Sequence, residues 1–389
     1  MNLPSLVWSA AVAASVALGS NTFAALPLSP EDGLTVLWKG QSHSVEDVAA
    51  EAEANCSGGV SAQLERYRAW LVENDYHVSL TDDLRVILVT SSKKSAKKRL
   101  PLVEATLETF DALLAPPNRC DSDESFRGGE WGVAEHAPDA EPVVLIELDD
   151  DEHYQALLAA LGEIHPDMQT WASVQSSEPG FDEERIMTTG WQSAPDGYEI
   201  GPVWRSKNEL VNRLSRLLMY RSYGPQPHWL NQATGWAVEY EVVGDIYCFP
   251  HRNEFIGVGE HDGWRNEIRN RFKSKKSEPL QLSDFADWKR GTFEHDHAAA
   301  AWGFIQFLAH EKPEVLPALA EANRVAYKAG FTVDLGDGNW RTNPSFAVTP
   351  EAQFAVLKKE AGDDVLEDAT DFFRSWKKSR TTKASSRRR

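Results

Sequence analysis

The chain has 389 residues, of which 42% are hydrophobic and 25% are charged, and these values are ordinary for a globular protein. Its formal net charge of −19 argues against nucleic acid and anionic lipid surfaces as partners, because both need clustered Lys and Arg. The one basic segment, residues 377–389, has no large apolar residue, and we predict that it is a disordered tail.

The N-terminus carries an apolar run over residues 6–19, a length that is typical of a signal-peptide core and short for a membrane span. Ala24 and Ala25 follow as small residues for cleavage, although no Lys or Arg precedes the run. We therefore predict a signal peptide over residues 1–25, export to the periplasm or the extracellular space, and no stable membrane insertion after cleavage. An uncleaved anchor or a buried N-terminal helix is the alternative.

The first half of the mature chain combines helical and strand-like patterns. Residues 26–80 are predicted to form an N-terminal helical segment, because apolar residues recur at helical spacing between residues 44 and 73. Residues 81–200 are predicted to form an α/β subdomain. Its predicted strands cover residues 84–89 and 143–148, and its predicted helices cover residues 100–114 and 153–161.

Two further features of this subdomain give local predictions. The acidic triplet at residues 149–151 precedes a predicted helix, and carboxylates there oppose the positive end of the helix, so we predict a cap and not a metal site. Residues 170–176 and 185–190 are predicted to be short β-like runs, separated by turn residues.

The second half of the sequence has mainly helical patterns. Predicted helices cover residues 203–219, 229–242, 298–310, 314–330 and 350–376, the last with a break near Gly362. We assign residues 201–345 to a helical subdomain and residues 346–376 to C-terminal helices. The sequence therefore predicts an α+β fold, in which a mixed sheet with helices is followed by a mainly helical C-terminal half.

Three cysteines occur in the chain, and an odd count in an exported protein allows one disulfide and one free thiol. Cys56 and Cys120 lie in loop-like sequence, so we predict that they pair. Cys248 follows an apolar stretch and is predicted to be a buried thiol.

The predicted helix over residues 203–219 contains Asn208-Glu209-Leu210-Val211-Asn212. This string has the spacing of His-Glu-x-x-His, with Asn in place of each His. In zinc peptidases the two His lie one helical turn apart and bind one metal, while the Glu polarises the attacking water. Gln232 follows Asn212 by twenty residues, inside Trp229-Leu230-Asn231-Gln232-Ala233.

These segments resemble the gluzincin, or thermolysin-like, zinc metallopeptidases, whose W-L-x-E-G/A segment supplies a third zinc ligand at the position of Gln232. A later segment, residues 301–308, is similar to a helix that follows the zinc site in a family of bacterial gluzincin-like proteins. A Tyr that could steady the transition state in that family corresponds here to Ala298. The resemblance covers residues 80–330 and implies a gluzincin-like α+β fold with an active-site helix.

The resemblance implies a degenerate site, because Asn208, Asn212 and Gln232 are neutral amides, whereas zinc prefers imidazole, thiolate or carboxylate ligands. We therefore expect no zinc cofactor, and Glu209 is interpreted as a vestigial general base without a metal-bound water. The protein is predicted to be a catalytically inactive, peptidase-like binding or structural module. An extended peptide or a protein is the implied partner, since capture of a peptide by an edge strand needs no metal.

Other interpretations stay open at this point. A working metal-dependent hydrolase could use rearranged ligands, for which Glu239, His228 and His251 lie near the motif in the sequence. Glu239 follows Gln232 by seven residues and so shares its helical face. An exported scaffold without a ligand is a third class, in which Glu209 is an ordinary, partly buried residue.

Overall fold

The computed structural model describes residues 34–54, 59–116, 141–195, 205–247, 263–288, 295–336, 339–343 and 346–376. A seven-stranded mixed sheet organises this part of the chain. Its strands are β1 (Thr35–Trp38), β2 (Gln41–Ser44), β3 (His77–Leu80), β4 (Val86–Thr90), β5 (Val143–Leu148), β6 (Gly180–Glu183) and β7 (Thr188–Gln192). They pair in the order β2-β1-β3-β4-β5-β7-β6.

The middle of the sheet is parallel, because β4 pairs with β5 and β5 pairs with β7 in the same direction. β3 runs antiparallel to β4, and β6 runs antiparallel to β7 at the end of the sheet. Side chains of β4 alternate between two hydrophobic cores: Val86 and Leu88 belong to one, Ile87 and Val89 to the other. Burial on both faces explains why this strand has a continuous apolar sequence.

Helices cover both faces of the sheet. The smaller core packs against α1 (Val45–Ala54), α2 (Gly59–Glu73), α4 (Asp151–Ile164) and α5 (Gln169–Gln175). The larger core packs against α3 (Lys93–Leu114), α6 (Ser206–Tyr223), α7 (His228–Val243), α8 (Trp264–Phe272), α9 (His295–Glu311), α10 (Val315–Phe331), α11 (Pro350–Ala361) and α12 (Val365–Ser375). A separate hairpin, β8 (Thr332–Gly336) with β9 (Asn339–Thr342), follows α10.

The predicted α+β class is confirmed at this coarse level. The predicted strand at residues 143–148 is β5, and the predicted acidic cap is Asp150, whose carboxylate accepts a hydrogen bond from the backbone N–H of His153 (3.0 Å). The break near Gly362 separates α11 from α12, and this glycine has a φ of 99° that favours a residue without a side chain.

Three local predictions were wrong. Residues 170–176 were predicted to be β-like, but residues 170–175 lie in α5. The buried Ala172 of this helix follows the buried Met168, which precedes the helix, by four residues, at helical spacing. Residues 26–80 were assigned to a helical segment; its helical pattern over residues 44–73 corresponds to α1 and α2, but the strands β1, β2 and β3, which flank these helices, were not predicted. Each of these strands has only four residues, which is too few for an alternation of apolar and polar residues to be recognised in the sequence. The hairpin β8–β9 likewise interrupts the helical second half.

Several predictions fall outside the described residues. These are the signal peptide, the disulfide partners Cys56 and Cys120, the thiol of Cys248, the candidate ligand His251 and the basic tail. Within the described ranges, none of the helices combines the length and the apolar character needed to cross a membrane.

Candidate functional site

The candidate site lies between α6 and α7, two helices joined by a short connection. Gly224 ends α6 with a φ of 64°, and Pro227 precedes the first residue of α7. A connection of this length places consecutive helices side by side and antiparallel. The beginning of α6 is held to the sheet by Ser206, whose hydroxyl accepts hydrogen bonds from Trp191 Nε1 and Arg99 Nη2, both 3.0 Å long.

Gly235 lets the two helices approach closely where the motif lies. A Cβ atom added at this position would stand 3.1 Å from Asn212 Nδ2 and 3.0 Å from Arg216 Cγ, which is tighter than ordinary van der Waals contact. The absence of a side chain at Gly235 therefore brings the backbone of α7 against the face of α6 that carries Asn212.

Asn208 and Asn212 point into this interface and donate hydrogen bonds to one buried carboxyl group, that of Glu239. Asn208 Nδ2 lies 2.7 Å from Glu239 Oε1, and Asn212 Nδ2 lies 3.1 Å from Glu239 Oε2. The backbone N–H of Tyr247, just beyond α7, donates a third hydrogen bond to Oε1 (2.6 Å). Because Glu239 is fully buried, these donors satisfy a carboxyl group that water does not reach.

Burial raises the pKa of the Glu239 carboxyl to about 8. The negative charge of Glu209 acts in the same direction, whereas the hydrogen bonds from Tyr247, Asn208 and Asn212 lower the pKa. The effect of burial on the pKa outweighs that of the hydrogen bonds, because the three donors are neutral and supply no positive charge.

This pKa predicts a stability that depends on pH. In the unfolded chain the carboxyl titrates near the ordinary glutamate pKa of 4.5, so between there and about pH 8 the folded state holds a proton that the unfolded state releases. The contribution of Glu239 to the free energy of unfolding is therefore largest below about pH 4.5, falls as the pH rises, and is lost above about pH 8. The free energy of unfolding, measured by urea denaturation between pH 5 and pH 9, should fall in this way in the wild type and not in Glu239→Gln. A pH-independent difference between the two proteins would contradict the prediction.

Glu209 takes part in an ion-pair network. Its Oε2 atom accepts a hydrogen bond from Arg213 Nε (2.8 Å), one helical turn along α6. Arg213 also reaches Asp182 on β6, with Nη1 at 2.8 Å from Oδ1, and Arg216 pairs with the same carboxylate. Glu209 and Asp182 therefore connect α6 to the end strand of the sheet.

The remaining predicted site residues lie farther along α7. Gln232 is buried and precedes Glu239 by seven residues, which is about 10 Å of helix rise. Among the described residues, the amides of Asn208 and Asn212 bond to Glu239 and Asp245 and not to Gln232. His228 opens α7 about 16 Å from the level of Glu239, and its ring packs on Trp288. The grouping of Gln232 with Asn208 and Asn212, which the gluzincin resemblance implies, stays a prediction.

The residues present do not fit a zinc ion. The amide nitrogens of Asn208 and Asn212 face a carboxylate, and an amide N–H is a donor that cannot ligate a metal. Asn208 Oδ1 is buried without a hydrogen-bond partner in the described part of the chain, and it offers one neutral oxygen. Within the same ranges, His, Cys, Asp and Glu side chains form no group of three that could hold a metal ion.

Sequence reasoning missed the residues that flank the two helices. Arg205, just before α6, pairs with Asp245, just after α7, at 2.5 Å. The Arg205 guanidinium also lies 3.3 Å from the centre of the Tyr247 ring. Asp245 Oδ1 accepts a further hydrogen bond from Asn208 Nδ2 (3.1 Å). The one sequence feature that could have indicated this pair is the position of Arg205 before α6 and of Asp245 after α7. In two consecutive antiparallel helices, the beginning of the first lies beside the end of the second.

Comparisons with known protein families and with curated protein sequences give no match.

Proposed function

We propose that this chain is an exported, metal-free and non-catalytic protein of the gluzincin type, retained to bind a peptide or a protein. One observation carries the proposal: Asn208 and Asn212 donate hydrogen bonds to the buried carboxyl group of Glu239. A peptidase would present lone pairs to a metal at these two positions. Here the same positions present N–H groups to another side chain, and they stabilise the contact between α6 and α7.

The position of Glu209 supports the same proposal. A general base in a zinc peptidase must reach a metal-bound water, whereas Glu209 is buried and ion-paired with Arg213. The strand β6 lies at one end of the sheet beside α6, and an extended peptide can add to such an edge through main-chain hydrogen bonds. Peptide binding there would need neither a metal nor a free general base.

Zinc content tests the part of the proposal that makes the protein metal-free and non-catalytic. We expect the purified full chain, dialysed against a mild chelator, to contain well below one zinc per chain by elemental analysis. Addition of zinc should not produce hydrolysis of a casein substrate. About one zinc per chain, or zinc-dependent cleavage, would overturn the proposal and favour the alternative of a hydrolase with rearranged ligands that include Glu239.

A further inference from the structure

A surface groove lies between α3, α7 and α9, away from the cluster around Glu239. Its volume is about 570 Å³, which is within the range of roughly 300–1,000 Å³ that is common for ligand sites. Ala237 and Glu241 line the groove from α7, and they lie two residues to either side of Glu239, on the opposite face of that helix. The groove and the Asn–Glu cluster are therefore separate features on two sides of one helix.

Gln306 on α9 is the most informative residue of the groove. Its side chain lines the groove and is only 4% exposed, yet its amide makes no hydrogen bond with any other described residue. The amide is not among the fully buried side-chain atoms that lack a partner, so its nitrogen and oxygen are open to solvent at the groove, where a bound group can pair with them. A primary amide can donate and accept at once, and it therefore complements the N–H and C=O groups of a peptide backbone.

The rest of the lining has an apolar part and an acidic part, and Thr109 and His310 lie beside them. Leu113, Ala237 and Pro313 contribute apolar surface, while Glu108 on α3 and Glu241 on α7 are exposed carboxylates. Neither carboxylate has an ion-pair partner among the residues that the structure describes. An Arg or Lys side chain suits this combination, because its aliphatic stem can lie on apolar surface while its charged end meets a carboxylate.

We propose that this groove binds a short extended segment of a partner polypeptide that carries Arg or Lys side chains. Gln306 pairs with the peptide backbone, and Glu108 and Glu241 pair with the basic side chains. The inference rests on the proposed function in that both assign binding to this protein, but it places the binding surface at a different site. The two fail separately, because zinc content tests the first and peptide titration tests the second.

Fluorescence anisotropy of the full chain with two labelled hexapeptides tests the inference. One peptide alternates Leu with Arg, and the other alternates Leu with Glu. We expect the Leu/Arg peptide to bind at least about tenfold more tightly, since the wrong charge would meet two carboxylates. Equal binding of the two peptides, or no binding of the Leu/Arg peptide at millimolar concentration, would overturn the inference.

A matched pair of double variants separates the groove from the general acidity of the chain. Glu108→Gln with Glu241→Gln should weaken binding of the Leu/Arg peptide by about tenfold or more. The control, Glu73→Gln with Glu163→Gln, changes the net charge by the same amount. Its two positions are exposed, on α2 and α4, over the other face of the sheet. This control should change the affinity for the Leu/Arg peptide less than about twofold. Equal losses in both double variants would contradict a specific site.

The role of Gln306 is tested from both sides of the interface. Gln306→Leu should weaken binding of the Leu/Arg peptide about tenfold, because the backbone of the peptide loses its partner. A Leu/Arg peptide with N-methyl groups on its central residues should bind the wild type correspondingly weakly, and this comparison needs no folded variant. Unchanged affinity of the N-methylated peptide would exclude backbone pairing in the groove.

Discussion

Replacement of Glu239 by leucine is expected to lower the free energy of unfolding by about 3–5 kcal/mol. The substitution removes the acceptor of Asn212 Nδ2 and of the Tyr247 N–H, and one of the acceptors of Asn208 Nδ2, which keeps its hydrogen bond to Asp245 Oδ1. Each buried donor without a partner costs about 1–3 kcal/mol, and burial of the leucine side chain offsets part of the loss.

Two further variants make this prediction specific. Glu239→Gln keeps one acceptor oxygen and a similar shape, and rotation of one asparagine amide can match the new NH₂ group, so we expect a loss of about 1–2 kcal/mol. Glu241→Leu alters an exposed residue two positions along the same helix and should change stability by no more than about 0.5 kcal/mol. Urea denaturation of the wild type and the three variants gives the order of their free energies of unfolding. If Glu239→Leu is no worse than Glu241→Leu, the cluster does not stabilise the helix pair.

Substitution of both asparagines by histidine is expected to create a zinc site with a dissociation constant in the micromolar range or tighter. His at positions 208 and 212 would lie one helical turn apart against the carboxylate of Glu239, and two His with one Glu is a common zinc ligand set. Without metal the double variant should be less stable than the wild type by about 1–3 kcal/mol, because Asn208 and Asn212 are almost fully buried and His is larger. Zinc should then raise its melting temperature, measured by calorimetry.

The identity of the third ligand separates two interpretations of the motif. The resemblance to gluzincins places it at Gln232, whereas the observed hydrogen bonds place Glu239 beside both asparagines. We expect Glu239→Gln to weaken zinc binding by the double variant at least about tenfold to a hundredfold, and Gln232→Glu to add little. Activity need not return, because Ala298 stands where the bacterial family that the sequence resembles often has a Tyr. A folded triple variant, Asn208→His, Asn212→His, Gln232→Glu, that binds no zinc would contradict the zinc site expected at Glu239 and would also count heavily against the gluzincin resemblance.

Long elements with a regular pattern were predictable from the sequence. The strand β5 and the helices α6 and α7 were predicted to within a few residues, because their apolar residues repeat over many positions. The cap at Asp150 was also predictable, since it depends on residues that are neighbours in the chain. The strands of four residues were not, because their pairing with distant strands, and not their own composition, determines their conformation.

The sequence predicts which residues of the candidate site share a face of one helix, but not how the two helices are aligned. The spacing of Asn208 and Asn212 places both on one face of a helix, which the structure confirms. The position of Glu239 opposite them depends on how α7 is aligned along α6. That alignment results from the close approach at Gly235 and from the hydrogen bond that Asn208 donates to Asp245, both of which are tertiary contacts. The helical period alone does not distinguish Gln232 from Glu239, since both lie on one face.

The hydrogen bonds to Glu239 have a mechanical consequence for the two helices. Asn208 bonds to one carboxylate oxygen and Asn212 to the other, so a slide of α7 by one turn would break both bonds. Such a slide would bring Gly235 or Val243 to the place of Glu239, and neither has a side-chain acceptor. We therefore expect α6 and α7 to move together as one rigid body. A ligand that displaces α7 from its groove side would then also shift Arg213 and Arg216 on α6, and with them the end strand β6.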